Sequence, residues 1–216
     1  QVTAFGVFLL VALFVAAAAG MVALDPVSIT QKMIAVQVAL AGLFFGWVFL
    51  DKSNSRQERK QVVVILVLFI FAALFWAAFE QAPTSLNLFA RDFTDRTVGS
   101  FEIPTTWFQS VNSLFIIICA PMFAAIWMSM GRSGTELSAP AKFSLGLAFA
   151  GLGFALMIIP ANALVASGGA LRVAPWWLVG SYFLQTAGEL CVSPVGLSSM
   201  TKLSPRKYVG QMMGIW

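Results

Sequence analysis

Two glutamates stand out from the other charges of this chain. Glu80 closes an apolar run from Val62 to Phe79, in the string FWAAFEQAPTSL, and Glu189 lies at the centre of another in GELCVSPVG. An ionisable group is costly to hold in hydrocarbon, and acids kept there mark substrate pathways, proton relays or ion pairs. A glutamate withdrawn from water holds its proton more tightly, so it can take up and release protons near neutral pH. It can also wait for a cation, either a Lys or Arg from elsewhere or an ammonium group on a substrate. A purely structural ion pair is the plainest alternative.

The other charges set these two apart. Seven of the nine acids fall between the apolar runs, and none of the thirteen bases lies in the middle of one. Helical spacing supplies neighbours. Trp76 and Glu80 are four residues apart, as are Glu189 and Ser193, and Gln109 and Asn112 are three apart, so each pair shares a face. With a rise of about 1.5 Å per residue, Glu80 falls about 6 Å and Asn112 about 9 Å outward of their span centres, while Glu189 is central. Three helices thus bring polar side chains to one layer near the bilayer midplane.

The elements that must position them follow from composition. Hydrophobic residues make up 59% of the 216 and charged residues 10%, with a mean hydropathy of +0.86. Soluble domains carry about 25% charged residues. Apolar spans at 2–24, 29–50, 62–90, 105–131, 141–166 and 175–203, with a seventh starting near 208, approach or exceed the ~20 residues needed to cross hydrocarbon as a helix. They do not alternate as barrel strands would. The expectation is an all-α polytopic membrane protein of about six to seven transmembrane helices.

Domain organisation is expected as a helix hairpin over 1–50, a cytoplasmic linker over 51–61 and a truncated bundle over 62–216. The segments 51–60, 131–142 and 202–207 carry nine of the bases, which places them on the cytoplasmic side of an inner membrane. Asp92, Asp95 and Glu102 read as solvated charges of the longest outer loop. Pro83, Pro121, Pro160 and Pro194 are candidate kinks. The start at Gln1 and the close at Trp216, as a further apolar segment begins, suggest an internal piece of a longer chain.

Other chemistries are poorly served. There is no histidine, no GxSxG and no pair of ligand cysteines, since Cys119 and Cys191 lie singly inside apolar spans. The expectation is therefore no enzyme, no metal and no cofactor. The net charge of +4 is dispersed over loops, which argues against nucleic acid. A structural membrane subunit would have no use for two intramembrane acids.

Longer strings are familiar. FWAAFEQAPTSLNLFARD resembles the seventh transmembrane helix of the proton-dependent oligopeptide transporter (POT/PTR) family, a branch of the major facilitator superfamily. WFQSVNSLFIIICAPMFAAIW is similar to its eighth helix, and GELCVSPVGLSSMTKLSP with GQMMGIW to its tenth and the start of its eleventh. Residues 1–50 resemble, by position, the helix pair that many bacterial members insert between two six-helix bundles. The resemblance implies proton-coupled symport of di- and tripeptides by alternating access, with protons as the coupling ion. Glu80 then matches an acid of proton coupling that pairs with a base on the first helix. Asn112, Glu189 and Ser193 match the side of the pocket that receives the peptide amino terminus, and Trp76 and Trp216 match its aromatic walls. The implied partners are the peptide, the bilayer and an N-terminal six-helix bundle. The family's ExxER string belongs to that bundle and is absent here. Some members carry nitrate or other solutes, so a proton-linked carrier of another small molecule, such as an amino acid or a drug, is the alternative.

Overall fold

The computed structural model describes residues 25–216, so the expected span at 2–24 lies outside the described residues. Compactness divides the chain into Gln1–Lys52 and Ser53–Trp216. In the first unit, α1 (Pro26–Leu50) starts where the Asp25 carboxylate accepts the backbone N–H groups of Val27 and Ser28. Most of its side chains are exposed along its length, although it is apolar on all sides. A helix of that kind needs a solvent that is itself apolar.

The second unit is a bundle. Helix α2 (Arg56–Phe79) is followed by a π-helical turn (Ala82–Leu86) and α3 (Asn87–Phe93). Then come a hairpin of β1 (Thr97–Val98) and β2 (Phe101–Glu102), and the long helices α4 (Thr105–Arg132), α5 (Ala139–Ala166) and α6 (Trp176–Leu203). A 3-10 turn (Arg206–Tyr208) leads into α7 (Val209–Ile215). Four described helical segments, Val27–Leu50, Arg56–Phe93, Thr105–Arg132 and Ala139–Ala166, are long and apolar enough to cross a membrane. Helix α6 matches the longest at 28 residues but carries more polar side chains, and it is the most buried.

Several boundaries depart from the sequence expectation for local reasons. Helix α2 starts at Arg56, inside the stretch expected as linker. There Ser55 and Glu58 form a reciprocal capping box that satisfies two orphan N–H groups. It ends at Phe79, the residue whose carbonyl the Pro83 ring would meet in a continuous helix. The ladder is re-formed through longer bonds, such as Leu86 N–H to the Gln81 carbonyl at 3.2 Å. Pro121, Pro160 and Pro194 stay inside unbroken helices. Of the four candidate kinks, only Pro83 divides its helix.

The loop between α3 and α4 is ordered, and its acids Asp92, Asp95 and Glu102 are exposed. Gly99 takes a positive φ of 63° at the hairpin turn, Arg96 pairs with Glu102, and Arg91 pairs with Asp92 at 2.7 Å. The Thr97 hydroxyl and backbone N–H hold the Asp95 carboxyl below its ordinary range. Asp95 N–H also donates to the Val173 carbonyl (2.9 Å), joining this loop to the one before α6. At the opposite end Lys207 donates to Ser53, so two of the basic loops meet there.

Close packing centres on α6, whose residues Ser181, Gln185, Gly188 and Val192 form the stripe facing α5. A methyl group built on Gly188 would lie 2.7 Å from the Gly146 carbonyl oxygen and 3.1 Å from the Phe75 ring. One built on Gly153 would lie 3.1 Å from the Ser181 carbonyl oxygen. Small residues permit this approach, which is the main source of attraction between helices that have lipid as the alternative. Backbone oxygen cannot swing aside, so Gly188→Ala is expected to cost about 1–3 kcal/mol. Gly151→Ala, which faces open space, is the control. Thermal unfolding in detergent should show a lower midpoint for Gly188→Ala and none for Gly151→Ala; equal midpoints would contradict the packing.

Candidate functional site

Helix α6 presents a second stripe, Tyr182, Thr186, Glu189, Ser193 and Gly196, at spacings that keep one face over four turns. Every element that carries a candidate site residue reaches this stripe or lies beside it. Glu189 is half-buried. The Asn112 side chain of α4 lies beside its carboxyl group, and its Oε2 atom is buried with no hydrogen-bond partner among the described residues. Asn112 is in turn held from α6, because the Thr186 hydroxyl donates to its Oδ1 at 2.5 Å. Ser193 lies one turn beyond Glu189 and is half-buried.

Trp216 lies against Gly196 at the far end of the same stripe, where a Cβ would collide with its indole ring. It also meets Phe143 of α5 edge-on, with ring centroids 6.2 Å apart. Trp76 belongs to a cluster at the end of α2. It packs edge-on against Phe75 and Phe79 at centroid distances of 5.6 and 5.2 Å, and the buried Phe75 rests on Gly188. The end of α2, through Phe75, and α4, through Asn112, therefore approach α6 from adjoining sides.

Glu80 differs from expectation. Within the apolar segment Arg56–Phe93 it sits at the C-cap of α2 rather than inside an unbroken helix, with its side chain exposed. Its backbone N–H donates to the Trp76 carbonyl (2.9 Å), and its carboxylate has no ion-pair partner among the described residues. The cause is Pro83, which ends the helix just before Glu80 and swings the chain into the π-helical turn. Gln81 stitches that turn: its Oε1 accepts the Ser85 hydroxyl at 3.1 Å, and its carbonyl accepts the Thr84 hydroxyl at 3.2 Å. The Tyr182 hydroxyl reaches the Ala82 carbonyl at 3.5 Å, so α6 also touches the break.

Two polar features escaped sequence reading. Lys142, expected in a loop, lies in the first turn of α5 and is buried. It pairs with Glu136 at 3.0 Å and stands 5.0 Å above the Trp127 ring. Thr186 has no signal in the sequence, because its partner Asn112 is 74 residues away. Among the described residues no cluster of three or more His, Cys, Asp or Glu side chains is placed to hold a metal. The arrangement can take a cation at Glu189 beside neutral hydrogen-bonding groups.

The model of the POT family matches residues 4–216. This chain belongs to that family. It is 46% identical over 197 residues to a peptide transporter of Yersinia enterocolitica subsp. palearctica, covering 91% of this chain and 38% of that protein. It is 34% identical to a di-/tripeptide transporter of Lactococcus lactis subsp. cremoris, with 81% and 35% covered. A solved structure of a peptide transporter, POT, in complex with sulfate superposes with a TM-score of 0.83 at 34% identity, covering 99% of this chain and 42% of the other. The chain thus spans about two fifths of the length of these relatives. It has the all-α polytopic membrane fold of the major facilitator superfamily, and its family is one of transporters.

Proposed function

We propose that this chain is the inserted helix pair (1–50), its linker (51–61) and most of the C-terminal bundle (62–216) of a proton-coupled symporter of di- and tripeptides. The protein works in the cytoplasmic membrane with its basic loops inside. The observation that carries this reading is the buried, unpartnered Oε2 of Glu189 beside Asn112 and Ser193. A half-buried carboxylate needs a cation, and no Lys or Arg of the described residues pairs with it. The α-ammonium group of a peptide has the required charge and donors. Support also comes from the relatives named as di-/tripeptide transporters.

In this reading Asn112, Glu189 and Ser193 receive the peptide amino terminus, and Trp76 and Trp216 wall the pocket. Glu80, exposed on a face that no described element covers, pairs with a base of the N-terminal bundle. When it is ionised the pair holds the outer side shut; when it is protonated the pair parts. Protons are the coupling ion, and neither cofactor nor catalysis is involved. A second reading, carriage of another small amino-bearing solute, draws on a related POT family transporter solved with 5-aminolevulinic acid (30% identical, TM-score 0.80).

The test uses the full-length transporter in proteoliposomes. The unmodified protein should concentrate a labelled dipeptide when the inside is made alkaline. Glu80→Gln, which mimics the protonated form, should lose this accumulation and retain exchange of labelled for unlabelled peptide without a gradient. Concentrative uptake by Glu80→Gln would remove Glu80 from proton coupling, and no peptide uptake by the unmodified protein would overturn the substrate assignment.

A further inference from the structure

Gly188 and Gly153 face carbonyl oxygens of the neighbouring helix, so their lack of a side chain serves helix packing. Gly196 is different. The three atoms nearest to a Cβ built there all belong to the indole of Trp216. That Cβ would overlap Cζ2 and lie 2.5 Å from Cη2 and 3.0 Å from Cε2. Carbon atoms rest about 3.5–4.0 Å apart. The glycine is a seat for a ring rather than for a helix.

The seat faces the site. Gly196 follows Glu189 by seven residues, two turns that drift by only about 20° around the helix. Both residues therefore present their Cα–Cβ directions to the same side of α6. Along the axis they are about 10 Å apart. An extended peptide covers ~3.3–3.6 Å per residue, so side chains of a peptide held at Glu189 can reach the indole. Trp216 is half-buried, with Phe143 of α5 meeting its ring edge-on. A methyl group at position 196 has no room beneath the ring. The indole would have to move away from α6 by about 1 Å to restore contact distance. That movement leads into the space lined by Glu189 and Ser193.

We propose that Gly196 is a positioning residue that sets substrate specificity: it seats the Trp216 indole against α6 and so keeps room for bulky apolar side chains of the peptide. This deepens the reading of Glu189 and Trp216 as parts of a peptide pocket, and rests on it. Gly196 touches no peptide itself and acts through the indole.

The test uses the full-length transporter, with affinities for dialanine and diphenylalanine measured for each variant. Gly196→Ala should weaken diphenylalanine about tenfold more than dialanine, the scale of a one-methyl overpacking. Trp216→Ala should itself change the ratio of the two affinities, and in that background Gly196→Ala should change it no further. A second readout needs no peptide. In protein labelled with 5-fluorotryptophan, the fluorine resonance of Trp216, assigned by its loss in Trp216→Phe, should shift in Gly196→Ala and stay in Gly151→Ala. A resonance that stays in Gly196→Ala, or an undiminished effect of Gly196→Ala once the indole is gone, would overturn the proposal. If Trp216→Ala changes the ratio and Gly196→Ala does not, the pocket reading stands and the role of Gly196 falls. If Trp216→Ala leaves the ratio as it was, Trp216 is no pocket wall, and the proposal falls with that reading.

Discussion

Backbone contact between α5 and α6 at Gly146 and Gly188 is the constraint on which the rest depends. Each glycine gives the other helix room that any side chain would take, and Phe75 of α2 closes on the same spot. Once Ser181, Gln185, Gly188 and Val192 are committed to α5, the rotation of α6 about its axis is set. Tyr182, Thr186, Glu189 and Ser193 must then point to the neighbouring face, where α4 and the end of α2 lie. A helix free to roll by one residue would point the carboxyl elsewhere. The site is therefore as well defined as the glycine contact, and it is built on helices rather than loops.

Polar groups on α6 are tolerated because that helix is surrounded by protein. Ser181, Gln185 and Thr186 are all buried, and Gln185 Nε2 donates to the Ser181 hydroxyl at 3.0 Å. In an apolar interior each such bond is electrostatically stronger than in water, and each one missing is dearer. That asymmetry makes the unpartnered Oε2 of Glu189 informative, because unlike the likewise unpartnered Oε1 of Gln185 it belongs to an ionisable group. With Asn112 beside it, that oxygen is left for a charge of opposite sign. Tyr182 also ties α6 to the break after α2, since its hydroxyl reaches the Ala82 carbonyl while its own carbonyl accepts from Thr186.

Much of this was legible in the sequence, for reasons that can be named. Span positions follow from uninterrupted apolar runs, and the common end of two basic loops follows from charge counting, as the Lys207–Ser53 contact illustrates. That Glu189 and Ser193 share a face of α6 is readable from spacing alone. Hydropathy places Glu80 inside a span, as the segment Arg56–Phe93 has it, and the break at Pro83, one of the candidate kinks, sets it at the C-cap of α2. Pro194 looks equivalent on paper and leaves its helix whole, since a proline's effect depends on what else can satisfy the freed carbonyl. The hairpin at 97–102 and the burial of Lys142 depend on pairings, Arg96 with Glu102 and Lys142 with Glu136 and Trp127. Pairings of this sort carry no periodicity. Thr186 was invisible for the same reason, as a helical threonine acquires meaning only from its neighbour on another helix.

The unpaired oxygen of Glu189 is tested most directly by a thermodynamic cycle on the full-length transporter. The affinities of a dipeptide and of its N-acetylated form are measured for the unmodified protein and for Glu189→Gln. Removing one member of a buried charge pair costs about 3–5 kcal/mol, so acetylation should weaken binding to the unmodified protein by roughly a hundredfold or more. For Glu189→Gln the two ligands should bind alike, both weakly. An acetylation penalty of the same size in Glu189→Gln would mean that the ammonium group is met elsewhere, and would contradict the assignment of this carboxylate to the amino terminus.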